Sequence, residues 1–205
     1  MPMRKTATPA ADERPRCRWC TSHPVYIEYH DREWGVPERD SRALFELLCL
    51  EGAQAGLSWW TILSKRDRYR EVFHGFDPAR VAAFGEKDIA RLLKDTGIVR
   101  HRGKIAAVIG NARAYLALEA GGTRFGDFIW SHAPSSRGAA TPGRSTSPES
   151  EALSRSLKKQ GFRFVGPTTC YAFMQAAGLV DDHEPRCWRR GAGVRSAPRA
   201  GRPQR

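Results

Sequence analysis

Glu51 places a carboxylate where the surrounding pattern calls for an apolar side chain. It lies in the run Leu44-Phe45-Glu46-Leu47-Leu48-Cys49-Leu50-Glu51-Gly52-Ala53-Gln54-Ala55, which has helical spacing. At 100° per residue, Leu44, Leu48, Glu51 and Ala55 fall within about 60° of one another, so the acid sits in the middle of the apolar stripe. An unpaired buried carboxylate is costly. Such a residue either caps a neighbouring backbone segment or is kept for a ligand. The segment that follows, Gly56-Leu57-Ser58-Trp59-Trp60, offers an aromatic wall for that ligand.

A second group of residues has the chemistry of a phosphate grip. Leu92-Leu93-Lys94-Asp95-Thr96-Gly97-Ile98-Val99-Arg100-His101-Arg102-Gly103-Lys104-Ile105 reads as two helices joined by a short turn. Gly97 can end the first helix in a left-handed conformation. Gly103 lets backbone N–H groups approach an anion closely. The N-terminus of the next helix then points its free N–H groups and dipole at that anion, with Arg100, Arg102 and Lys104 adding charge. This is the arrangement of a helix-hairpin-helix element that holds a DNA phosphate. An ordinary basic turn between packed helices has the same pattern.

A third group is suited to a metal. Cys17 and His30 lie near the start of the patterned region, and His183 and Cys187 near its end. Two thiolates and two imidazoles suit tetrahedral Zn²⁺. Cys17-x₂-Cys20 is the commoner zinc spacing, so Cys20 competes with His30 as a ligand. Four protein ligands would make the site closed and structural. Joining the two half-sites would close a loop of about 150 residues, worth several kcal/mol in unfolded-chain entropy.

These groups need a scaffold, and the pattern predicts an all-α one. Ser41 is placed to cap a helix over 42–55, and residues 58–73 form another periodic stretch. Asp77-Pro78 opens a short helix. Helical segments follow at 86–95, 104–118, 125–131, 149–160 and 167–178. Residues 133–150 lack apolar periodicity and read as a flexible loop. Residues 1–16 read as a disordered extension, and 189–205, with six Arg and no acid, as a disordered basic tail. The domain between them spans 17–188.

The net charge of +12 favours polyanionic partners without choosing among them. No apolar run approaches the length of a membrane span, and the N-terminal residues lack the apolar core of a secretion signal. Five scattered cysteines fit reduced or metal-bound thiols. A cytoplasmic monomer is the expectation, with no membrane partner.

Six stretches resemble the 3-methyladenine DNA glycosylase I family in family order. They are 26–37 (Tyr-Ile-Glu-Tyr-His-Asp-Arg-Glu-Trp-Gly-Val-Pro), 44–59, 97–105, 110–115, 158–166 and Asp-Asp-His at 181–183. The resemblance implies the helix-hairpin-helix glycosylase fold. It implies a structural zinc held by Cys17, His30, His183 and Cys187, with Cys20 a bystander. It places Tyr29, Glu51, Trp59 and Trp19 in a base pocket. It also implies a monofunctional enzyme that flips 3-methyladenine out of double-stranded DNA and hydrolyses its glycosidic bond, with Glu51 as the reader of the base and the free base as a product ligand. Glycosylases of this superfamily often use an Asp downstream of the hairpin. Asp127 is the nearest candidate, and it reads as a helix-cap or structural acid, since the family resembled lacks such an Asp. Two other readings stay open: a lyase with Lys104 as amine nucleophile, and a non-enzymatic zinc-containing DNA-binding protein.

Overall fold

The computed structural model describes residues 14–20, 23–135 and 143–192. Residues 1–13, 136–142 and 193–205, where the expected extension, the middle of the expected loop and most of the basic tail fall, lie outside the described residues. The described residues form helices and turns with no β-strand among them. A 3₁₀ turn at Arg18–Cys20 precedes α1 (Pro24–Arg32), α2 (Ser41–Gln54), α3 (Trp59–Leu63) and α4 (Arg66–Val72). After a second 3₁₀ turn at His74–Phe76 come α5 (Pro78–Ala82), α6 (Glu86–Leu92), α7 (Arg102–Ala120), α8 (Phe125–Trp130), α9 (Pro148–Lys159) and α10 (Pro167–Ala176).

The centre of the fold is α2. Leu44, Phe45, Leu48, Cys49, Leu50 and Ala53 are all buried, so this helix is apolar around most of its circumference and is packed from several sides. Helices α3, α7, α8 and α10 lie against it. The start of α2 is capped by Asp40, whose carboxylate accepts from the Ala43 amide at 2.8 Å. Ser41, expected as the cap, is instead the first helical residue. Its hydroxyl accepts from the Gly126 amide at 2.9 Å and joins α2 to α8. A stronger acceptor one residue earlier takes the capping role, which frees Ser41 for a tertiary contact.

The expected single stretch over 58–73 is two helices. Lys65 leaves helical geometry (φ −111°, ψ 0°), and α4 starts afresh behind it. The apolar spacing survives the break because both pieces bury the same side against the core, through Ile62, Tyr69 and Val72. At the other end, α9 opens on a reciprocal cap between Ser147 and Ser150, and α10 opens on Pro167, whose missing N–H costs nothing in the first turn.

Candidate functional site

The first 3₁₀ turn, α1, α2, α3 and α10 converge on a cavity of about 390 Å³. The turn supplies Trp19; α1 supplies Tyr26 and Tyr29; α2 supplies Glu51 and Gln54; α3 supplies Trp59; α10 supplies Gln175. Local structure aims each one. His23 caps α1 by accepting from the Val25 amide at 3.2 Å, with Pro24 behind it, so Tyr26 and Tyr29 share one face. Ser58 accepts from the Thr61 amide at 3.2 Å and starts α3 at Trp59.

All four residues expected in a base pocket, Tyr29, Glu51, Trp59 and Trp19, line this cavity. The rings of Tyr29 and Trp59 lie 5.4 Å apart, and Trp19 closes on Tyr29 edge-on at 6.4 Å. Glu51 is 4 % exposed, and among the described residues no donor or cation reaches its carboxylate. Burial pushes its carboxyl up to about 8. Burial likewise holds the Tyr29 hydroxyl well above its ordinary value, with the nearby Glu51 adding to the effect. The Trp59 indole N–H is buried without an acceptor among the described residues. The cavity thus presents aromatic faces and one unmatched carboxyl. Its chemistry suits a flat, electron-poor ring carrying hydrogen-bond donors.

Sequence reasoning missed several lining residues: Tyr26, Trp34, Gln175 and Asp182. Asp182 accepts from the Tyr171 hydroxyl at 2.6 Å and from the Gln175 amide at 2.8 Å, which fixes the far wall. The only signal for these residues was their place inside or beside stretches already singled out for other reasons. Asp127 lies exposed in the first turn of α8 and is not part of the cavity wall.

Next to the cavity, Cys17, His30, His183 and Cys187 bring one ligand atom each to within 4.8 Å of one another, all four side chains buried. The Cys187 sulfur lies 3.3 Å from His30 Nε2 and 3.5 Å from His183 Nδ1, and the Cys17 sulfur 3.6 Å from His183 Nδ1. Cys20 is outside the group, its thiol donating to the Cys17 carbonyl at 3.0 Å. His30 turns its other nitrogen onto Asp31 at 2.8 Å, and Arg16 holds the far side of that carboxylate. With Nδ1–H donated to Asp31, the lone pair of His30 faces the cluster, the second-layer arrangement of a metal-binding histidine. Burial keeps His183 neutral, down to about 4, and raises the Cys17 thiol to about 12. Neutral imidazoles are ready donors, and a divalent cation would reverse the bias on the thiols.

The third group does not all behave as the sequence suggested. Helix α6 ends at Leu92, and Gly97 lies in the turn without a positive φ. It is small for a different reason: a Cβ there would stand 2.6 Å from Arg68 Cγ. Arg68 needs that room to pair with Asp95, which in turn accepts from the Gly97 amide. His101 caps α7 by accepting from the Lys104 amide at 3.2 Å. Arg100 is exposed, Arg102 is exposed and paired with Glu86, and Gly103 sits in the first turn. Lys104 does not face outward as a phosphate ligand. It is 9 % exposed, and its ammonium donates to the carbonyls of Ala53 and Ala55 at 2.7 Å each. Two inward hydrogen bonds to orphan carbonyls at a helix end outweigh what a solvated surface ammonium would gain. The same inward turn takes Lys104 out of the cavity wall, where a lyase nucleophile would have to stand.

Comparison with known proteins places this geometry. Residues 19–190 match the family model described as methyladenine glycosylase. The DNA-3-methyladenine glycosylase 1 of Escherichia coli (strain K12) is 58 % identical over 177 residues, covering 84 % of this chain and 95 % of that protein. A crystal structure of 3-methyladenine DNA glycosylase I superposes with a TM-score of 0.82 at 55 % identity, covering 85 % of this chain and 98 % of that one. A variant of 3-methyladenine DNA glycosylase I solved in complex with 3-methyladenine superposes with a TM-score of 0.80 at 39 % identity, covering 85 % and 97 %.

Proposed function

The chain belongs to the methyladenine glycosylase family, and from that premise we propose that it releases 3-methyladenine from alkylated double-stranded DNA by hydrolysing the glycosidic bond. The observation that carries the site assignment is the buried, unmatched carboxyl of Glu51 facing an aromatic cavity. A base inside a duplex is out of reach, so it must be flipped into a pocket first. Methylation at N3 gives adenine in DNA a positive charge. Tyr29 and Trp59, with Trp19 behind them, offer that cation π-faces, and Glu51 offers a counter-charge. The amino group of adenine supplies donors to the same carboxylate, where guanine would present a carbonyl. Departure of the base neutralises its charge, so the lesion itself makes the leaving group good. Glu51 is then a reader of the base and not a nucleophile.

The turn between α6 and α7 fits the role of a helix-hairpin-helix grip on one phosphate, with Gly97 and Gly103 admitting the backbone and Arg100 and Arg102 supplying charge. Zn²⁺ suits the cluster: Cys17, His30, His183 and Cys187 would hold it, and four protein ligands leave it a structural role that closes the ends of the fold. A monomer working in the cytoplasm is consistent with this reading, and no helix among the described residues is long and apolar enough to cross a membrane.

The test is Glu51→Gln, assayed for base release from methylated DNA and for affinity for free 3-methyladenine. Both should fall, by about tenfold or more, the order of one lost charge-assisted contact. Undiminished release together with unchanged affinity would sink the assignment.

A further inference from the structure

The inward turn of Lys104 joins two parts of the molecule that the function must coordinate. Its backbone lies in the first turn of α7, where His101 caps the helix beside the exposed Arg100 and Arg102. Its ammonium lies at the end of α2, on the carbonyls of Ala53 and Ala55. Those carbonyls follow Glu51 by two and four residues and precede Trp59, which stands on the far side of the corner turned by Gly56 at φ +78°. A helix end leaves carbonyls without partners, and here one buried ammonium takes up two positions of the corner at once.

A second strut runs parallel to it. Phe164 holds a left-handed backbone (φ +55°), uncommon for a bulky residue. Asn111 of α7 fixes the preceding residue by bonding both the amide and the carbonyl of Arg163. The Phe164 ring meets His101 edge-on at 6.2 Å and would lie 3.6 Å from a Cβ on Gly103. Its Cβ and carbonyl would lie 3.3 Å from a Cβ on Gly52, the residue next to Glu51. The α7 terminus therefore touches the Glu51 corner twice, once through Lys104 and once through Phe164.

We propose that Lys104 is a positioning residue, locking the corner between Glu51 and Trp59 to the helix terminus that meets the DNA backbone. The pocket's spacing and the grip on the duplex are then set by one rigid junction. This rests on the hairpin reading given above. Lys104 acts through geometry: burial alone accounts for the raised Glu51 carboxyl, with no contribution from the ammonium.

The full-length protein carrying Lys104→Met or Lys104→Gln tests it with three readings. They are single-turnover base release at saturating protein, affinity for free 3-methyladenine, and the salt dependence of binding to a duplex holding an abasic-site analogue. Release should drop about tenfold or more and free-base affinity should weaken, because small misplacements of a site cost that much. The salt slope should stay as in the parent. Gln, which keeps a donor for one carbonyl, should recover part of both losses, and it carries the test if the Met variant fails to fold. A slope reduced by about 0.9 with unchanged base affinity would mean a phosphate contact and overturn the proposal. Lower stability with release and base affinity intact in the folded protein would also overturn it. Arg100→Ala checks the hairpin separately. If that variant leaves the slope unchanged, the hairpin reading and the DNA half of the proposal fail, while the free-base result still decides the pocket half.

Discussion

A buried carboxyl raised as far as that of Glu51 behaves as a conditional anion. Burial raises the Glu51 carboxyl to about 8, against an ordinary value near 4.5, so the folded chain binds that proton more tightly than the unfolded one. The stability it contributes is fully present below about 4.5 and is lost as the pH rises through about 8. The difference in stability between the parent and Glu51→Gln, read from denaturant midpoints, should therefore shift toward the variant across that window, by an amount on the order of a few kcal/mol. A pH-independent difference would count against a free, buried acid. Activity should run the other way. A cationic base favours ionised Glu51, so kcat/KM for base release should climb with pH up to about 8, and this limb should vanish in Glu51→Gln. Glu51 was legible in the sequence because a charge inside an apolar stripe violates the pattern. Lys104 was misread because composition reveals a lysine's charge and not its direction, and a C-terminal pair of orphan carbonyls about 50 residues away leaves no mark in the local sequence.

Among elements, the joints matter more than the helices. The end of α10 packs on the connector between α1 and α2, with the amides of Gly35 and Glu38 donating to the carbonyls of Ala176 and Ala177. Gly178 makes this approach possible. It has φ +70°, and a Cβ there would stand 2.6 Å from Pro37 N and from the Val36 carbonyl carbon. Gly178→Ala meets backbone rather than a movable side chain, so it should lower unfolding stability by about 2 kcal/mol or more. Calorimetry of the purified variant reads this directly, and a change within about 0.5 kcal/mol would show that the joint can relax. Helix existence was legible here, since periodic apolar positions and the Asp77-Pro78 opening mark where helices begin. Breaks were less so. The step between α3 and α4 at Lys65 keeps the apolar spacing, and the end of α6 at Leu92 is unmarked by glycine, so nothing local announces either.

At the scale of the molecule, the two ends of the described chain are clasped together. Besides the four-residue cluster, the Trp188 amide donates to the Pro15 carbonyl at 2.9 Å, and the Arg14 guanidinium lies 3.8 Å from the Trp188 ring centre. Closing about 150 residues in this way is worth about 5 kcal/mol in the chain-entropy picture. Prolonged chelation should lower the unfolding temperature, and readdition of zinc should restore it; Cys187→Ser should reproduce the loss. Metal analysis of the purified protein checks the premise, and a metal-free chain with an unchanged unfolding temperature would refute it. The His183-x₃-Cys187 half-site was visible as spacing. Spacing alone left His30 and Cys20 open, and the resemblance favoured His30; the geometry agrees, with His30 in the cluster and the Cys20 thiol turned onto the Cys17 carbonyl.

The clasp also imposes an order in time. Translation runs at roughly 5–20 residues per second, so His183 leaves the ribosome roughly 8–30 s after His30. The hairpin helices are made partway through that interval, and once Ala120 has emerged the cluster and the Gln175–Asp182 wall of the cavity are still incomplete. A prematurely terminated chain would therefore carry Tyr29, Glu51 and Trp59 but lack the Gln175–Asp182 wall that faces them and the His183–Cys187 half of the clasp.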